Sequence, residues 1–339
     1  MKKFLSLKYL TSACFLALLG IMLAGSLRPV YYEAYHQLQN LRSGNGISIS
    51  EIEYEYNDAL PGKQLYITLN GGFRRLLGQR YVNERYRLDN GHLSYVIPEM
   101  DVTAPAENTA AFRDTLEEMG IPFAYVNTLF KLDPQDKQLP QGVEDYSEKN
   151  TDQFLALLEE KGVTALDLRQ REQEQGLDHY SLYYITDHHW TAETGFWAYT
   201  QIADWLASLD DSFTVNPGFT QENNYSYTVY EDIFCGSAAR RVGPLYAGLD
   251  DMTVITPQFD TALTYADQEQ IRQGSYEETL LFYEHLTREN MLENSVYGVY
   301  LGEDKPEVRI TNQSRQQGLA LQSTPKRLLI LKDSSALVA

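Results

Sequence analysis

The densest run of chemically capable side chains in the 339-residue chain is YYITDHHWTAETGFW, where Asp187, His188, His189 and Trp190 are adjacent. Asp187 and His189 are two residues apart, so in an extended segment they project to the same side. A carboxylate so placed can fix the imidazole tautomer and leave the second ring nitrogen to take a proton from a nucleophile. The matching nucleophile is Ser334. Leu328 to Leu331 reads as a buried strand, and Asp333-Ser334 follows at its carboxyl end, where open α/β sheets present reacting groups. A helix N-cap is the plainer reading of the same serine.

Two other readings of the histidines stay open. Asp187 or Glu193 with the two imidazoles would suit zinc or iron, although consecutive side chains on a strand face opposite ways, which argues against both reaching one ion. Alternatively, both histidines are structural. The triad reading requires neither a metal nor an organic cofactor. For the oxyanion, FCGSAARRVG (234 to 243) offers the backbone amides of Gly236 and Ser237 on a turn, with Arg240 and Arg241 as cations. An ordinary hairpin turn with exposed arginines fits that segment too.

The surrounding pattern says what positions these groups. GHLSYVI (91–97), IPFAYVNT (121–128) and VTALDLR (163–169) read as strands, and helices are expected over 108–120 and 148–162, each ending at a glycine. Strands separated by such helices indicate βαβ units and a parallel sheet. Thr191 opens a helical pattern running to about Leu209. Residues 210–320 are turn-rich and read as a β-rich insertion, with strands at 252–259 and 306–312 and a helix around 276–290. Upstream, LPGKQLYITLNGGFRRLLG reads as an amphipathic helix with a glycine interruption.

Residues 9–27 are 19 consecutive uncharged, mostly apolar residues behind Lys2, Lys3 and Lys8. As a helix they extend about 28 Å, close to the hydrocarbon thickness of a bilayer. They read as an uncleaved signal anchor, with a cleaved signal as the alternative, and the basic start sends the body across the membrane. The net charge of −19 includes those three lysines, which leaves −22 on residues 28–339. So acidic a body disfavours nucleic acid as a partner. Cys14 reads as lipid-facing and Cys235 lies far away in the body, which excludes a disulfide within the body. The expected organisation is an anchor at 1–27, a membrane-proximal stalk at 28–60 and one domain over 61–339.

TDHHW together with LKDSSA resembles the DHHW protein family, which is similar to the alginate O-acetyltransferases and to SGNH-hydrolase-like proteins. YNDALPGKQ (56–64) and LNGGFRRLLG (69–78) extend the resemblance from about residue 50 onward. It implies a flavodoxin-like, SGNH-type α/β/α sandwich, with Asp187 and His189 as orienting acid and base and Ser334 standing where the hydrolases have GDS. It also implies extracytoplasmic acyl transfer or ester hydrolysis on a cell-surface polysaccharide, with a membrane acyl exporter as a candidate partner. A non-catalytic surface or polysaccharide-assembly protein and a metal-dependent hydrolase are the alternatives. Lys332 replaces the glycine of the hydrolase block. The sequence stops at Ala339, so a C-terminally truncated domain of weak activity or none is the expectation.

Overall fold

A computed structural model describes residues 2–44, 46–136, 138–210, 213, 215–289, 291–313 and 327–333, with only the backbone described for 2–7. The chain divides into two compact units, residues 1–70 and 71–339.

In the first unit, α1 (Lys2–Arg42) is one helix whose apolar part is long enough to cross a membrane. Within residues 28–60, α1 continues to Arg42 and α2 (Ile49–Asp58) folds back beside it. Buried Gln37 ties the hairpin, donating to Glu33 and Glu51 and accepting the Ser48 N–H. The bare Cα of Gly25 allows the return, because a Cβ there would lie 2.1 Å from the Pro61 ring.

Helix α3 (Lys63–Leu76) runs without interruption through its glycine pair. Gly71 serves close packing rather than a break, since a Cβ on it would lie 1.8 Å from the Val242 carbonyl oxygen.

In the second unit, β1 (Tyr81–Val82), β2 (Arg85–Arg87) and β3 (Leu93–Ser94) form an antiparallel meander. The expected alternation follows: α4 (Thr103–Glu118), β4 (Tyr125–Asn127), α5 (Ser147–Glu160), β5 (Ala165–Asp167) and α6 (Leu168–Gln175). Strands β4 and β5 pair in parallel, as a βαβ unit requires. Helix α7 (Ala192–Leu209) begins where its cap predicts, with the Thr191 hydroxyl accepting the Thr194 N–H. Next come β6 (Tyr225–Phe234), α8 (Ser237–Val242), α9 (Pro244–Ala247) and β7 (Asp250–Pro257), with β6 and β7 antiparallel. Strands β8 (Leu263–Ala266) and β9 (Ile271–Gly274), helix α10 (Tyr276–Leu280) and β10 (Arg309–Asn312) complete the order, and β8 lies between β10 and β9.

Three expectations need correction. The large parallel central sheet is absent among the described residues: β4–β5 is the single parallel pair there, and the remaining pairings are antiparallel. The helix expected to Asn290 stops at Leu280, because Leu281 and Phe282 turn to bond the segment at Val299 and Tyr300. Leu328 to Leu331 forms no buried strand; these four residues are 62–79% exposed, and an apolar run becomes a strand only where a neighbouring edge accepts its hydrogen bonds.

Two cores meet at the histidine segment. One is built from Tyr184, Phe196, Phe234, Met252, Leu281 and Val299. The other contains Leu129, Leu166, Leu168, Leu182, Tyr183 and Trp190. The loop 184–189 is therefore anchored at both ends by buried aromatic side chains.

Candidate active site

The loop is a closed turn rather than an extended strand. Tyr183 and Trp190 form an antiparallel bridge at its mouth, and Thr191 N–H donates to the Leu182 carbonyl at 2.9 Å. The turn still unites the pair expected from sequence: His189 Nδ1 lies 2.5 Å from Asp187 Oδ1, which also accepts the His189 backbone N–H at 2.9 Å. The other carboxylate oxygen accepts the Ser237 backbone N–H. Asp187 is fully enclosed. Burial alone would favour its neutral form. The His189 hydrogen bond, the charges of both histidines and the Ser237 amide outweigh that and hold the carboxyl well below the usual carboxylate range.

The turn changes the argument about the two histidines. Their rings lie 3.9 Å apart at 38°, on the same side, and His188 Nδ1 is 3.3 Å from Asp187 Oδ1. Opposite-face geometry fails because the backbone is bent at every residue from Thr186 to His189. Asp187, His188 and His189 each bring one ligand-capable atom within 4.8 Å of the others, so a cation would fit by distance. It would compete with the hydrogen bond that His189 makes to Asp187. His188 is lowered from its ordinary value by burial, against the pull of Asp187, and its Nδ1 lies 2.9 Å from the Ser237 hydroxyl. Tyr297 stacks on the His189 ring at 4.5 Å and 20°.

The residues expected to stabilise an oxyanion do other work. Gly236 N–H donates to the Thr186 hydroxyl at 2.9 Å and Ser237 N–H to Asp187, so each amide already has an acceptor inside the site. Arg240 sits half-buried on α8, where its charge bears on the buried Cys235 thiol, itself pushed up to about 12 by burial. Two cations act on both Asp187 and His188: the buried Lys131, and Arg85, stacked 5.2 Å over the Tyr95 ring, which in turn meets His188 edge-on at 6.1 Å.

Ser334 lies outside the described residues. Asp333 is described, and its carboxylate raises the phenols of Tyr125, Tyr95 and Tyr297, each after the larger effect of burial. Tyr95 and Tyr297 are the rings that flank His188 and His189.

Sequence reasoning missed the groups that hold the loop. From β7, Asp250 accepts the Ile185 N–H at 2.8 Å, the Thr186 N–H at 2.8 Å and the Thr186 hydroxyl at 2.6 Å. The loop carbonyls are taken by Lys131, a residue only 2% exposed. A lysine inside the apolar run LFKL was the one available signal.

Residues 94–228, which contain this loop, match the family model described as SGNH hydrolase-like domain, acetyltransferase AlgX. Over that segment, less than half of the chain, the sequence is similar to an SGNH hydrolase-like domain, in keeping with the DHHW resemblance. A solved structure of Bacillus cereus PatB1 superposes with a TM-score of 0.51 at 19% identity, covering 66% of this chain and 73% of PatB1. The structure of PatB1 with a sulfonyl adduct gives 0.52 at 18% identity, covering 69% and 75%. A DHHW family protein from Eubacterium siraeum gives 0.46 at 16%, covering 68% and 72%. At these identities the PatB1 likeness is one of fold. No curated protein sequence matches the chain.

Proposed function

We propose that the protein is an extracytoplasmic, membrane-anchored O-acyltransferase, with acetyl as the acyl group and a cell-surface polysaccharide as the acceptor. The observation that carries the reading is the enclosed Asp187–His189 hydrogen bond at 2.5 Å inside a domain of SGNH hydrolase-like type. An ionised carboxylate on Nδ1 fixes the proton there and leaves Nε2 as the base. Ser334 is the nucleophile in this reading, supported by the reach of its neighbour Asp333 to Tyr95 and Tyr297. Its hydroxyl adds to the acyl carbonyl as its proton passes to His189 Nε2, and the donor oxygen leaves with that proton. A sugar hydroxyl then adds to the acyl-serine, gives its proton to His189, and the serine leaves protonated. Water in place of the sugar makes the same site an esterase.

The half-buried wall of Tyr95 under Arg85, next to His188, supports a sugar acceptor, because a pyranose ring offers an apolar face to an aromatic one. Arg85 rather than Arg240 is then the cation near the developing charge. Helix α1 supports the membrane anchor, with a membrane acyl exporter as the supplier of donor. Incubation with an acetyl-ester reporter should leave an acetyl group on Ser334 by mass spectrometry and none on the Ser334→Ala protein. No adduct on the unsubstituted chain would favour the non-catalytic assembly protein. Abolition of activity by a chelator, with restoration by zinc, would favour the metal-dependent hydrolase to which the 4.8 Å cluster lends geometric support.

A further inference from the structure

Lys131 follows β4, and its ammonium is enclosed beneath the histidine loop. Its Nζ lies 2.7 Å from the Tyr184 carbonyl oxygen, 3.1 Å from that of Ile185 and 2.6 Å from that of Asp187, with the Leu93 carbonyl on β3 at 2.8 Å. Three of these four acceptors belong to the loop. An ammonium has three N–H donors, so they are spent on four carbonyls with one shared. Among the described residues no carboxylate forms an ion pair with Lys131, although Asp187 and Asp250 act on its charge from nearby.

The cost of such an arrangement argues that it does something. Burying an ammonium without a directly bonded carboxylate is expensive, and an apolar side chain of similar length would fill the same space without that cost. What the ammonium alone supplies is donors for carbonyls that point inward together, and a closed turn forces that on residues 184, 185 and 187. Asp250 takes the amides of Ile185 and Thr186. The loop is thereby gripped through its backbone twice, by a cation on its carbonyls and an anion on its amides. The Asp187 side chain is fixed because its own carbonyl is fixed.

We infer that Lys131 is a positioning residue for the Asp187–His189 pair, acting through the main-chain carbonyls of the loop rather than on any reacting group. The consequence for catalysis rests on the acyl-transfer reading above. The consequence for the hydrogen bond does not.

The test is therefore made first on the hydrogen bond. In the full chain in detergent micelles, the His189 Nδ1 proton held against Asp187 gives a far-downfield proton resonance, assigned by its loss in His189→Gln. Lys131→Met should keep the circular dichroism spectrum and a cooperative melt, and lose that resonance. With the acetyl-ester reporter it should show kcat reduced about 100-fold and KM within twofold, as expected for lost orientation rather than lost binding. Lys131→Arg, which retains a cation and donors, should keep the resonance in part and recover at least tenfold of the lost kcat. A folded Lys131→Met protein with the resonance intact overturns the inference, whatever the activity. Failure of both variants to fold also overturns it, since Lys131 would then serve the whole fold. Loss of the resonance in Lys131→Met, in a chain whose unsubstituted form transfers no acyl group, leaves the inference standing and removes the functional reading instead.

Discussion

Gly236 and Thr186, fifty positions apart in sequence, are in backbone contact: a Cβ built on Gly236 would lie 2.5 Å from the Thr186 carbonyl oxygen and 2.6 Å from the Asp187 Cβ. Gly236 has an ordinary negative φ of −64°, so it is the closeness of approach that demands glycine. Gly236→Ala should push α8 away from the loop and break both the Gly236–Thr186 and the Ser237–Asp187 hydrogen bonds. The expected cost is about 1–3 kcal/mol of stability, as for other overpacked sites. Activity should fall more steeply than stability. Thermal melting and turnover of the same preparation check this, and an unchanged melt would contradict the contact.

Asp187→Asn tests what the carboxylate does for His189. The amide has almost the same shape and can still accept the Ser237 N–H, so the fold should persist. It presents either a neutral oxygen or an N–H to the ring, and the latter favours the wrong tautomer. Turnover should fall by about 10⁴ with KM little changed, the size of effect seen when an orienting aspartate is made neutral in a serine triad. Retention of more than a tenth of the activity would show that His189 does not depend on this carboxylate.

Much of this arrangement is legible in the sequence, and the part that is not has a common cause. The order α4, β4, α5, β5 follows from apolar periodicity and terminal glycines, and α7 from its Thr191 cap, because these signals are local. The spacing of Asp187 and His189 suffices to pair them, even though a turn and not a strand makes the contact. Apart from the place of Lys131 in the apolar run LFKL, the work of Lys131 and Asp250 is invisible to that reasoning. Their loop partners are mostly main-chain groups about fifty to sixty-five positions away, and every residue type has such groups. The partners of the Gly236 and Ser237 amides are hidden for the same reason: the acceptors that use them, the Thr186 hydroxyl and the Asp187 carboxylate, come from a different segment. In the case of Leu328 to Leu331, an apolar run indicates a buried strand only if a partner edge exists, and no local pattern reports that.

The buried ionisable groups fix how stability depends on pH. The Asp187 carboxyl is held below its unfolded value of 3.8, so its contribution is present above that value and is lost as pH falls through the window beneath it. For Lys131, burial lowers the ammonium from 10.5 to about 7, against the opposing pull of Asp187 and Asp250. Its other titratable neighbours are His92, lowered to about 3 mainly by burial and therefore neutral over this range, His179 and His188. Between pH 7 and 10.5 the unfolded chain binds more protons at Lys131 than the folded one does, so stability should rise with pH across that window. Donors are lost over the same range, since a neutral amine has two N–H groups for four carbonyls. Turnover should therefore decline on the alkaline side while urea midpoints climb. Parallel urea titrations and rate profiles from pH 6 to 10 distinguish this from ordinary alkaline unfolding, in which both fall together.

If a sugar acceptor lies on the Tyr95–Arg85 wall, as proposed, acceptor binding can be separated from chemistry by experiment. Tyr95 touches His188 edge-on and Phe130 at 5.8 Å, and none of the hydrogen bonds that hold Asp187 or His189 uses its phenol. Removing the ring should leave the pair in place and take away the surface on which a sugar would lie. Aromatic stacking of this kind contributes about 1 kcal/mol or somewhat more, so Tyr95→Ala should raise KM for a glycan acceptor several-fold to tenfold. Hydrolysis of a small acetyl ester should stay within about twofold, because water does not need the wall. The comparison uses one enzyme preparation with two acceptors, which cancels any change in folded fraction. Equal losses with both acceptors would mean that the tyrosine supports the histidine loop and that the glycan lies elsewhere.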